Sequence, residues 1–322
     1  MTTMRAMVIA ATGGPEVLTP ADLPLPSRIN SEVLVKVVAA GINPIDAKTR
    51  AGKGTSAAIT SFPVVLGNDF SGVVVETPYE AYPLKPGDEV FGMLSIPRMA
   101  GCYAEYVAVP SLGLARKPQR LTYAEAAGVP TAALTAWGIV VDVAKAHEGQ
   151  RMLIHAGAGG VGHFAVQFAA YFGAHVTATG SGSNLEWLRE LGAAEVIDYR
   201  HSRFDEVLHD LDVVIDLIGN VHDDTGTRSL AVLRPGGLLI NVPTGSWPTL
   251  IADAESAGVR ATSYKVAPDG ATLAVIARLL DSGDVRVAID TVYDLDDVAK
   301  AHTAIESGHS RGKIVLRVAD FG

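Results

Sequence analysis

Three glycines with the spacing of a dinucleotide-binding turn are the strongest chemical signal in the sequence. The segment HAGAGGVG contains Gly157, Gly159 and Gly162 in a GxGxxG pattern, after the apolar RMLI and before the helix-like VGHFAVQFAAYFG. A strand, a glycine turn and a helix in this order bind a pyrophosphate at the helix N-terminus. The alternative is a glycine-rich loop that only turns the chain. The residues expected to bind a nicotinamide dinucleotide here are Gly157, Gly159, Gly160, Val161 and Gly162.

The end of the next apolar segment, HVTATG, distinguishes between the two nicotinamide dinucleotides. NAD-binding turns carry an acidic residue about 20 positions after the first glycine, where it binds the ribose hydroxyls. This sequence has Ser181, Ser183 and Asn184 there instead. A carboxylate would repel the 2′-phosphate of NADP, whereas these side chains can hydrogen-bond to it, so we expect NADPH. The nearest basic residues are Arg189 and Arg200, and Ser and Asn also serve as ordinary helix caps.

The predicted secondary structure that positions these residues changes along the chain from strands to alternating strands and helices. The first 120 residues contain short Val-rich segments between Pro and Gly turns, which predicts an all-β, barrel-like region. At Thr122, a candidate N-cap with an acidic residue nearby, the chain becomes Ala-rich and helical. From Arg151 onward, short apolar segments alternate with amphipathic ones, the pattern of βαβ units in a parallel sheet. The tail from about Val285 ends in the strand-like KIVLRV.

Composition and charge exclude several classes of function. With 26 basic and 35 acidic residues, a net charge of −9, the chain lacks the basic surface expected of a nucleic-acid-binding or anionic-membrane-binding protein. We therefore expect a small-molecule partner. Cys102 is the single cysteine, so we expect neither a disulfide nor a cysteine-rich metal cluster, and a reducing, cytoplasmic location fits. The sequence shows no secretion-signal pattern and no uninterrupted apolar run of membrane-spanning length.

Seven further motifs carry a resemblance to a known family. They are GINPIDAKTRAG (41–52), FPVVLGNDFSG (62–72), PGDEVFG (86–92), CYAEYVAVP (102–110), AEAAGVPTAALTAW (124–137), LGAAEVIDYR (191–200) and RGKIVL (311–316). Together with AGAGGVG they cover essentially the whole chain, which resembles the zinc-less quinone oxidoreductase branch, with its zeta-crystallin-like proteins, of the medium-chain dehydrogenase/reductase superfamily.

The resemblance implies an α/β fold with two domains. One is a GroES-like β-barrel catalytic domain built from both chain ends, and the other is a Rossmann domain with a doubly wound parallel sheet. We place the catalytic domain at residues 1–121, the NADP-binding Rossmann domain at 122–285, and the return to the catalytic domain at 286–322. The resemblance also implies a homodimer.

The zinc ligands of the superfamily's alcohol dehydrogenases are missing. Those enzymes use a Cys after Gly-Ile and a His in a Gly-His-Glu segment, where this chain has Asn43 and Asn68. Without a Lewis acid, hydride exchange at an unactivated alcohol is disfavoured. A quinone or enone is a better acceptor, because its developing charge spreads onto an oxygen that hydrogen-bond donors stabilise.

We therefore expect an NADPH-dependent enzyme without a metal site that transfers hydride to a quinone or an α,β-unsaturated carbonyl compound. One alternative is a biosynthetic alkene or enoyl-thioester reductase. Another, from a different class, is an NADPH-binding protein without turnover that has a structural role, as crystallin-type relatives have.

Three side chains are the catalytic candidates, because resemblance places their segments beside the nicotinamide or the catalytic cleft. Asn43 would donate a hydrogen bond to the substrate or the nicotinamide ribose, and Lys48 would stabilise an enolate or relay a proton. Tyr103 would donate to the substrate carbonyl. The alternatives are a polar loop in which Asp46 caps a short helix and Arg50 braces the turn, and a core or rim tyrosine.

The remaining candidates would bind the cofactor. They are Thr135, Tyr199, Ile218, Gly219, Val242, Pro243 and Thr244. By resemblance Thr135 reaches the nicotinamide amide, or else it is a buried helix threonine. Residues 218–219 and 242–244 follow the fourth and fifth predicted strands of the parallel sheet, where ligands bind in open α/β sheets. Tyr199 would stack near the adenosine phosphate, although a surface tyrosine would look the same.

Overall fold

The Val-rich segments of the N-terminal part form strands, as their composition predicts. The structure is a computed structural model that describes residues 2–97 and 100–320. It divides into two compact units, Met1–Leu134 with Ala267–Gly322, and Thr135–Val266. The first eight strands are β1 (Thr3–Ile9), β2 (Leu18–Pro24), β3 (Glu32–Ile42), β4 (Val64–Val65), β5 (Asp69–Glu76), β6 (Glu89–Met93), β7 (Tyr106–Pro110) and β8 (Leu114–Arg116).

The second unit is built on a six-stranded parallel sheet. Its strands are β9 (Arg151–Ile154), β10 (His175–Gly180), β11 (Glu195–Asp198), β12 (Leu211–Asp216), β13 (Leu233–Asn241) and β14 (Arg260–Ser263). They lie in the order β11-β10-β9-β12-β13-β14, which is the strand order of dinucleotide-binding folds. β9 and β12 are almost entirely buried, as expected for central strands of a parallel sheet. The order reverses between these two strands, which marks the crevice where ligands bind.

The C-terminal tail returns to the sheet of the first unit. Strand β15 (Ile289–Asp294) pairs in parallel with β16 (Lys313–Arg317), and β16 pairs antiparallel with β3. The resulting seven-stranded sheet has the order β15-β16-β3-β5-β6-β8, with β7 paired to β3. A separate three-stranded sheet has the order β2-β1-β4. Both chain ends therefore contribute to the GroES-like unit.

Ten α-helices occur among residues 2–97 and 100–320. They are α1 (Pro44–Arg50), α2 (Tyr123–Ala127), α3 (Pro130–Trp137), α4 (Gly162–Tyr171), α5 (Leu185–Glu190), α6 (Phe204–Val207), α7 (Thr225–Ala231), α8 (Leu250–Ser256), α9 (Gly270–Ser282) and α10 (Val298–Glu306). The predicted cap of α2 is confirmed, because the Thr122 hydroxyl accepts the Glu125 N–H and the Glu125 carboxylate accepts the Thr122 N–H. In the described part of the chain, no helix is long and apolar enough to cross a bilayer.

The unit boundaries differ from those expected. Residues 122–134 and 267–285 belong to the first unit by their contacts, because α2 packs on β3 and β5, and α9 packs on β8. The expected boundaries at 121/122 and 285/286 followed the change from strand to helix in the sequence. A helical pattern does not reveal which sheet the helix covers, so the contacts place the boundaries 13 residues later and 19 residues earlier.

Each unit has its own apolar core. The core of the first unit includes Val35, Phe70 and Ile314, which come from strands β3, β5 and β16. The core of the second includes Leu153 and Val214 from the central strands β9 and β12. The first core surrounds the polar residues that follow β3, and the second supports the glycine turn that follows β9.

Candidate active site

The GxGxxG turn joins β9 to α4, as its spacing predicts. Gly162 is the first residue of α4, and a Cβ on it would lie 2.2 Å from the carbonyl oxygen of Ala156, so only glycine allows this close approach. A Cβ on Gly157 would lie 3.0 Å from Leu188. Beside Gly159, the only described atom within 4 Å of an added Cβ is the Ala156 oxygen, at 3.3 Å. The turn is therefore open at Gly159, where a pyrophosphate must approach the backbone.

Gly160 and Val161 complete the turn before the helix. Val161 is the N-cap residue of the ten-residue α4, and no side chain caps the helix there. Backbone N–H groups at a helix N-terminus, together with the helix dipole, favour a bound phosphate. The turn therefore fits the pyrophosphate of a dinucleotide.

Two buried polar side chains hold the turn in place. The Thr179 hydroxyl accepts the Ala156 N–H at 3.2 Å, and the Thr179 carbonyl accepts the Gly157 N–H at 2.9 Å. His155 lies 3.3 Å from the Thr179 hydroxyl and 2.9 Å from that of Ser229. Burial lowers the pKa of His155 to about 3, so the imidazole stays neutral and serves as a hydrogen-bonding link. The sequence expectations missed both residues; a polar residue at the end of a buried strand is the signal that marks them.

The three polar residues after β10 lie together. The Asn184 side-chain amide donates to the Ser181 hydroxyl at 3.0 Å, and the Ser181 and Ser183 hydroxyls are 3.4 Å apart. They belong to a short 3-10 turn that leads into α5. The structure thus brings together the three side chains expected to bind the 2′-phosphate.

The neighbouring strand adds a basic residue to this edge. β10 and β11 are paired so that Gly180 lies opposite Asp198, and the Tyr199 N–H donates to the Gly180 carbonyl. Tyr199 is exposed, and the Arg200 guanidinium lies 5.8 Å from the centre of its ring. The Asp198 carboxylate is also here, and its hydrogen bonds with His201 and the Arg200 N–H lower its pKa. Strand pairing, which the sequence does not show, brings Tyr199 beside Gly180, directly before the turn of Ser181 and Ser183.

The loops after β12 and β13 are tied together by one carboxylate. Asp216 accepts the N–H groups of Ile218 at 2.9 Å and Gly219 at 2.8 Å, and it accepts the Asn241 side-chain amide at 3.1 Å. Burial raises the pKa of Asp216. Residues 242–244 follow directly, and the Val242 N–H donates to the Asp216 carbonyl. Both loops therefore lie at the carboxyl edge of the parallel sheet, the same edge as the glycine turn.

The first unit contains a pocket with a polar end and aliphatic walls. Its polar lining comes from Asp46 and Asn68 and from two threonines of the segment 49–55. The full lining is Asp46, Thr49, Thr55, Ile59, Val64, Leu66, Gly67, Asn68, Ile96 and Pro97. Asn68 donates to the Asp46 carboxylate at 2.6 Å. The lining therefore combines polar and aliphatic groups.

Beside the pocket, Asn43 belongs to a buried polar network. Its N–H donates to Asp46 at 2.8 Å, and its side-chain amide donates to Asp69 at 2.9 Å. The Lys313 ammonium donates to the Asn43 side-chain oxygen and to the Ile42 carbonyl. All these groups are buried. Asn43 thus joins β3, β5 and β16, and its side chain makes these internal hydrogen bonds in addition to any contact with a substrate.

Asp69 and Lys313 were not among the expected site residues. Asp69 is completely buried and accepts the N–H and the hydroxyl of Thr131, at 2.9 and 2.5 Å. Its carboxylate lies 3.9 Å from the Lys313 ammonium. Burial raises the pKa of Asp69 and lowers that of Lys313, and the attraction between the two opposes both shifts. A charged residue within an otherwise apolar strand is the signal that marks each of them.

The remaining two catalytic candidates do not line the pocket. Tyr103 is completely buried, and its hydroxyl is 3.2 Å from both Asp46 and His302. Direct donation from Tyr103 to a substrate, as expected from resemblance, does not fit this placement. Lys48 lies on the exposed face of α1, whereas Asp46 and Arg50 lie on its buried face. Helical geometry turns residue 48 away from residue 46, so Lys48 is not part of the pocket lining.

Thr135 is buried in α3. This burial fits both expectations for it, namely a contact to the nicotinamide amide and a helix threonine.

The residues at the zinc positions do not fit a zinc ion. Asn43 and Asn68 carry amides, whereas zinc is held by thiolate, imidazole and carboxylate groups. Each amide donates a hydrogen bond to a carboxylate, Asn43 to Asp69 and Asn68 to Asp46. Over residues 2–97 and 100–320, no three His, Cys, Asp or Glu side chains cluster in a way that could hold a metal ion.

The geometry around Asp46 generates a prediction about stability. Burial raises the pKa of Asp46 to about 7, whereas an unfolded chain releases this proton at a pKa of about 3.9. The native state therefore binds more protons than the unfolded state between these values, and its free energy of unfolding should fall as the pH rises from about 4 to about 7. In Asp46→Asn this contribution should be absent. The measurement is urea unfolding of both proteins across this pH range.

Asp253→Asn is the matched control for this prediction. Hydrogen bonds from Thr249 and Trp247 lower the pKa of Asp253, so its contribution should be lost only as the pH falls below about 4. If the difference in unfolding free energy between the wild type and Asp46→Asn stayed constant from pH 4 to 7, the raised pKa of Asp46 would be wrong.

Comparison with known proteins agrees with this architecture. Residues 30–119 match the family model of the alcohol dehydrogenase GroES-like domain, and residues 191–316 match that of the zinc-binding dehydrogenases. The chain is 34% identical to the mitochondrial NAD(P)H oxidoreductase RTN4IP1 of Mus musculus, over 98% of this chain and 90% of the relative. It is 35% identical to the chloroplastic NADPH-dependent alkenal/one oxidoreductase of Arabidopsis thaliana, over 97% of this chain and 79% of the relative.

A solved structure is similar over its full length. The quinone oxidoreductase of Coxiella burnetii superposes with a TM-score of 0.93 at 36% identity, covering 99% of this chain and 100% of that one. The relatives, the two family models, the glycine turn and the residues at the zinc positions lead to one assignment. The chain is an oxidoreductase of the medium-chain dehydrogenase/reductase superfamily and belongs to its quinone oxidoreductase branch.

Proposed function

We propose that this chain reduces conjugated carbonyl compounds, either quinones or α,β-unsaturated aldehydes and ketones, with NADPH and without a catalytic metal. The pocket of the first unit is the observation that carries the proposal. Asp46 and Asn68 form its polar end, and the aliphatic side chains of Ile59, Val64 and Leu66 form its walls. A conjugated acceptor has the same division, with one carbonyl oxygen on an apolar body.

The absence of zinc-type ligands favours conjugated acceptors over alcohols. Asn43 and Asn68 cannot lower the pKa of an alcohol as a metal does. Asn68 lines the pocket with an amide donor, and a donor near the carbonyl oxygen stabilises the charge that develops there after hydride attack on a conjugated carbon. Among the relatives, the Arabidopsis protein is named for alkenals and the Coxiella protein for quinones, which supports the same class of acceptor.

We propose NADPH rather than NADH as the cofactor, and its nicotinamide would supply the hydride. The glycine turn and the N-terminus of α4 would hold its pyrophosphate. The hydroxyls of Ser181 and Ser183 and the side chain of Asn184 would bind the 2′-phosphate, with Tyr199 and Arg200 beside them. The loops held by Asp216 would lie along the nicotinamide half.

We also propose a homodimer. β14 lies at the edge of the six-stranded sheet and pairs with β13 on one side only, as far as the described residues show. The other side of such an edge presents backbone N–H and C=O groups that a second copy can pair with. Analytical ultracentrifugation should give twice the mass of one chain, and a monomer at micromolar concentration would contradict the proposal.

A reducing compartment, the cytoplasm, is the proposed location. Cys102 is buried and forms no disulfide, which is typical of proteins in reducing compartments. The mouse and Arabidopsis relatives are named mitochondrial and chloroplastic, so this part of the proposal depends on Cys102 alone.

NADPH oxidation with a panel of acceptors tests the proposed activity. Benzoquinone, cyclohexenone and an enoyl thioester are the conjugated acceptors, and cyclohexanone is the matched saturated control. We expect turnover on the order of 1–1,000 per second with the best conjugated acceptor, none with cyclohexanone, and no loss of rate in EDTA. Micromolar NADPH binding without oxidation by any conjugated acceptor would instead favour a non-catalytic NADPH-binding protein.

Arg200→Glu tests the choice of cofactor. If Arg200 binds the 2′-phosphate, its loss should weaken NADPH binding by about 10- to 100-fold, the effect of one charge-assisted hydrogen bond, and should leave NADH binding nearly unchanged. Arg189→Glu is the matched control, because Arg189 pairs with Glu186 on α5 and should not affect either cofactor. Equal losses for NADPH and NADH in Arg200→Glu would contradict the proposed phosphate site.

A further inference from the structure

A chain of hydrogen bonds leads from the pocket into the core of the first unit. Asp46 lines the pocket, and its Oδ2 atom lies 3.2 Å from the Tyr103 hydroxyl, which lies 3.2 Å from Nε2 of His302. Tyr103 and His302 have no solvent exposure, and Asp46 is 2% exposed. At the far end, Nδ1 of His302 has no hydrogen-bond partner among the described residues. Carboxyl, hydroxyl and imidazole groups are all able to pass a proton along such a chain.

The single hydroxyl hydrogen of Tyr103 couples the two ends of this series of hydrogen bonds. The Tyr103 hydroxyl has one hydrogen and can donate it in one direction only. When Asp46 is ionised, Tyr103 donates to it, His302 donates from Nε2 to Tyr103, and Nδ1 has no hydrogen. When Asp46 holds a proton on Oδ2, both bonds reverse and His302 has its hydrogen on Nδ1. The protonation state of Asp46 and the tautomer of His302 are therefore linked.

We propose that Asp46 donates the proton that completes the reduction, and that Tyr103 and His302 form with it a hydrogen-bond relay whose direction reverses with the protonation state of Asp46. This inference depends on the proposed function, because the proton is needed only after a hydride has been transferred to a conjugated acceptor. Asp46 is the catalytic residue, since it lines the pocket. Tyr103 and His302 act through Asp46 and are positioning residues.

The step balances in atoms and charge. After hydride transfer, the acceptor is an enolate or a hydroquinone anion. The O–H bond of Asp46 breaks, and a new bond forms from this hydrogen to the acceptor carbon or oxygen. Asp46 then regains a proton from water that enters the pocket it lines. Each turnover consumes one hydride and one proton from solvent.

The charges around Asp46 suit a proton donor near neutral pH. Burial raises the pKa of Asp46 to about 7, and the neighbouring Asp69 on β5 adds to this rise. The Asn43 N–H, the Lys313 ammonium on β16 and the Tyr103 hydroxyl oppose it. A donor with a pKa near the working pH gives and regains its proton most effectively.

The charges at the far end keep His302 neutral. Burial, and then the nearby Arg50 guanidinium, lower the pKa of His302 to about 3. Arg50 on α1 forms an ion pair with Glu306, which is 40% exposed and lies one turn after His302 on α10. The pKa of the Tyr103 hydroxyl lies well above its usual value because of burial. Neither Tyr103 nor His302 therefore ionises near pH 7, so the protonation state of Asp46 changes only the direction of their hydrogen bonds and the tautomer of His302.

Nitrogen NMR of histidine-labelled protein tests the coupling without any substrate. As the pH rises through about 7, the hydrogen of His302 should move from Nδ1 to Nε2 in the wild type. In Asp46→Asn and in Tyr103→Phe the tautomer should not change with pH. His302→Gln identifies the signal. A wild-type tautomer that stays constant from about pH 5 to about pH 9 would overturn the relay.

The pH dependence of cyclohexenone reduction by NADPH tests the catalytic role. In the wild type, kcat should fall as the pH rises above about 7, because Asp46 must be protonated to donate. Asp46→Asn should lower kcat about 100-fold and remove this dependence. Tyr103→Phe removes a hydrogen bond that lowers the pKa of Asp46, so in this variant the fall in kcat should move to higher pH.

The matched control is Tyr123→Phe. Tyr123 also donates to a carboxylate, that of Glu89 at 2.6 Å in the same unit, but neither residue lines the pocket. This variant should keep the kcat and the pH profile of the wild type. Circular dichroism and NADPH affinity establish that each variant is folded.

The outcomes separate this inference from the proposed function. If the wild type reduces cyclohexenone but the variants of Asp46 and Tyr103 keep its pH profile, the relay is wrong and the proposed function stands. If the wild type reduces no conjugated acceptor, the proposed function is wrong, and the His302 titration alone decides whether the three side chains share a proton. If a variant does not fold, the same wild-type titration decides.

Discussion

The buried carboxylate of Asp69 is the constraint on which the first unit depends. A carboxylate without access to water is costly unless it is paired and hydrogen-bonded. Asp69 has no exposed surface, and it accepts hydrogen bonds from Asn43 and Thr131 and lies near Lys313. These partners belong to the N-terminus of α1, to α3 and to β16. The hydrogen bonds and ion pair of the Asp69 carboxylate therefore join the end of β3 to α3 and to β16.

The position of the pocket follows from this network. Asn43 is held by Asp69 and Lys313 on one side, and its N–H donates to Asp46 on the other. Asp46 therefore lies at the start of α1 with its carboxylate toward Asn68. Asp46 at the pocket is therefore held by hydrogen bonds from Asn43, which is buried, and from Asn68, which is partly buried. Amides stand at the two positions that correspond to zinc ligands in related dehydrogenases, and each donates a hydrogen bond to a carboxylate.

In the second unit, the order of the strands and backbone hydrogen bonds, rather than a buried ion pair, shape the crevice. Parallel strands end at a common edge, and the strand order reverses between β9 and β12, so a crevice is present before any side chain contributes. Thr179 and Asp216 then hold the glycine turn and the following loops by accepting their N–H groups. The backbone N–H groups at the N-terminus of α4 and the helix dipole suit a phosphate-bearing ligand without a charged side chain. The chain thus separates its functions: one unit provides ordered backbone donors, and the other provides a buried, titratable pocket.

The sequence by itself determined the elements whose residues are close in the chain. The GxGxxG turn, the strands β3 and β9, and the cap of α2 at Thr122 depend on local spacing and periodicity, which a sequence displays directly. The strand alternation of the second half was enough to predict a parallel sheet. The family resemblance identified the residues at the zinc positions, Asn43 and Asn68, and with them the absence of zinc-type ligands.

Only the tertiary structure decided which distant side chains meet. Lys313 reaches Asn43 across 270 residues, His302 reaches Tyr103 across 199, and strand pairing brings Tyr199 beside Gly180. Helix geometry likewise placed Lys48 in solvent and left Asp46 at the pocket. These are consequences of strand order and helix rotation, which depend on how buried charges are paired in three dimensions. Local sequence patterns carry no information about that pairing, because a polar residue has the same local pattern whether its partner is four residues away or three hundred.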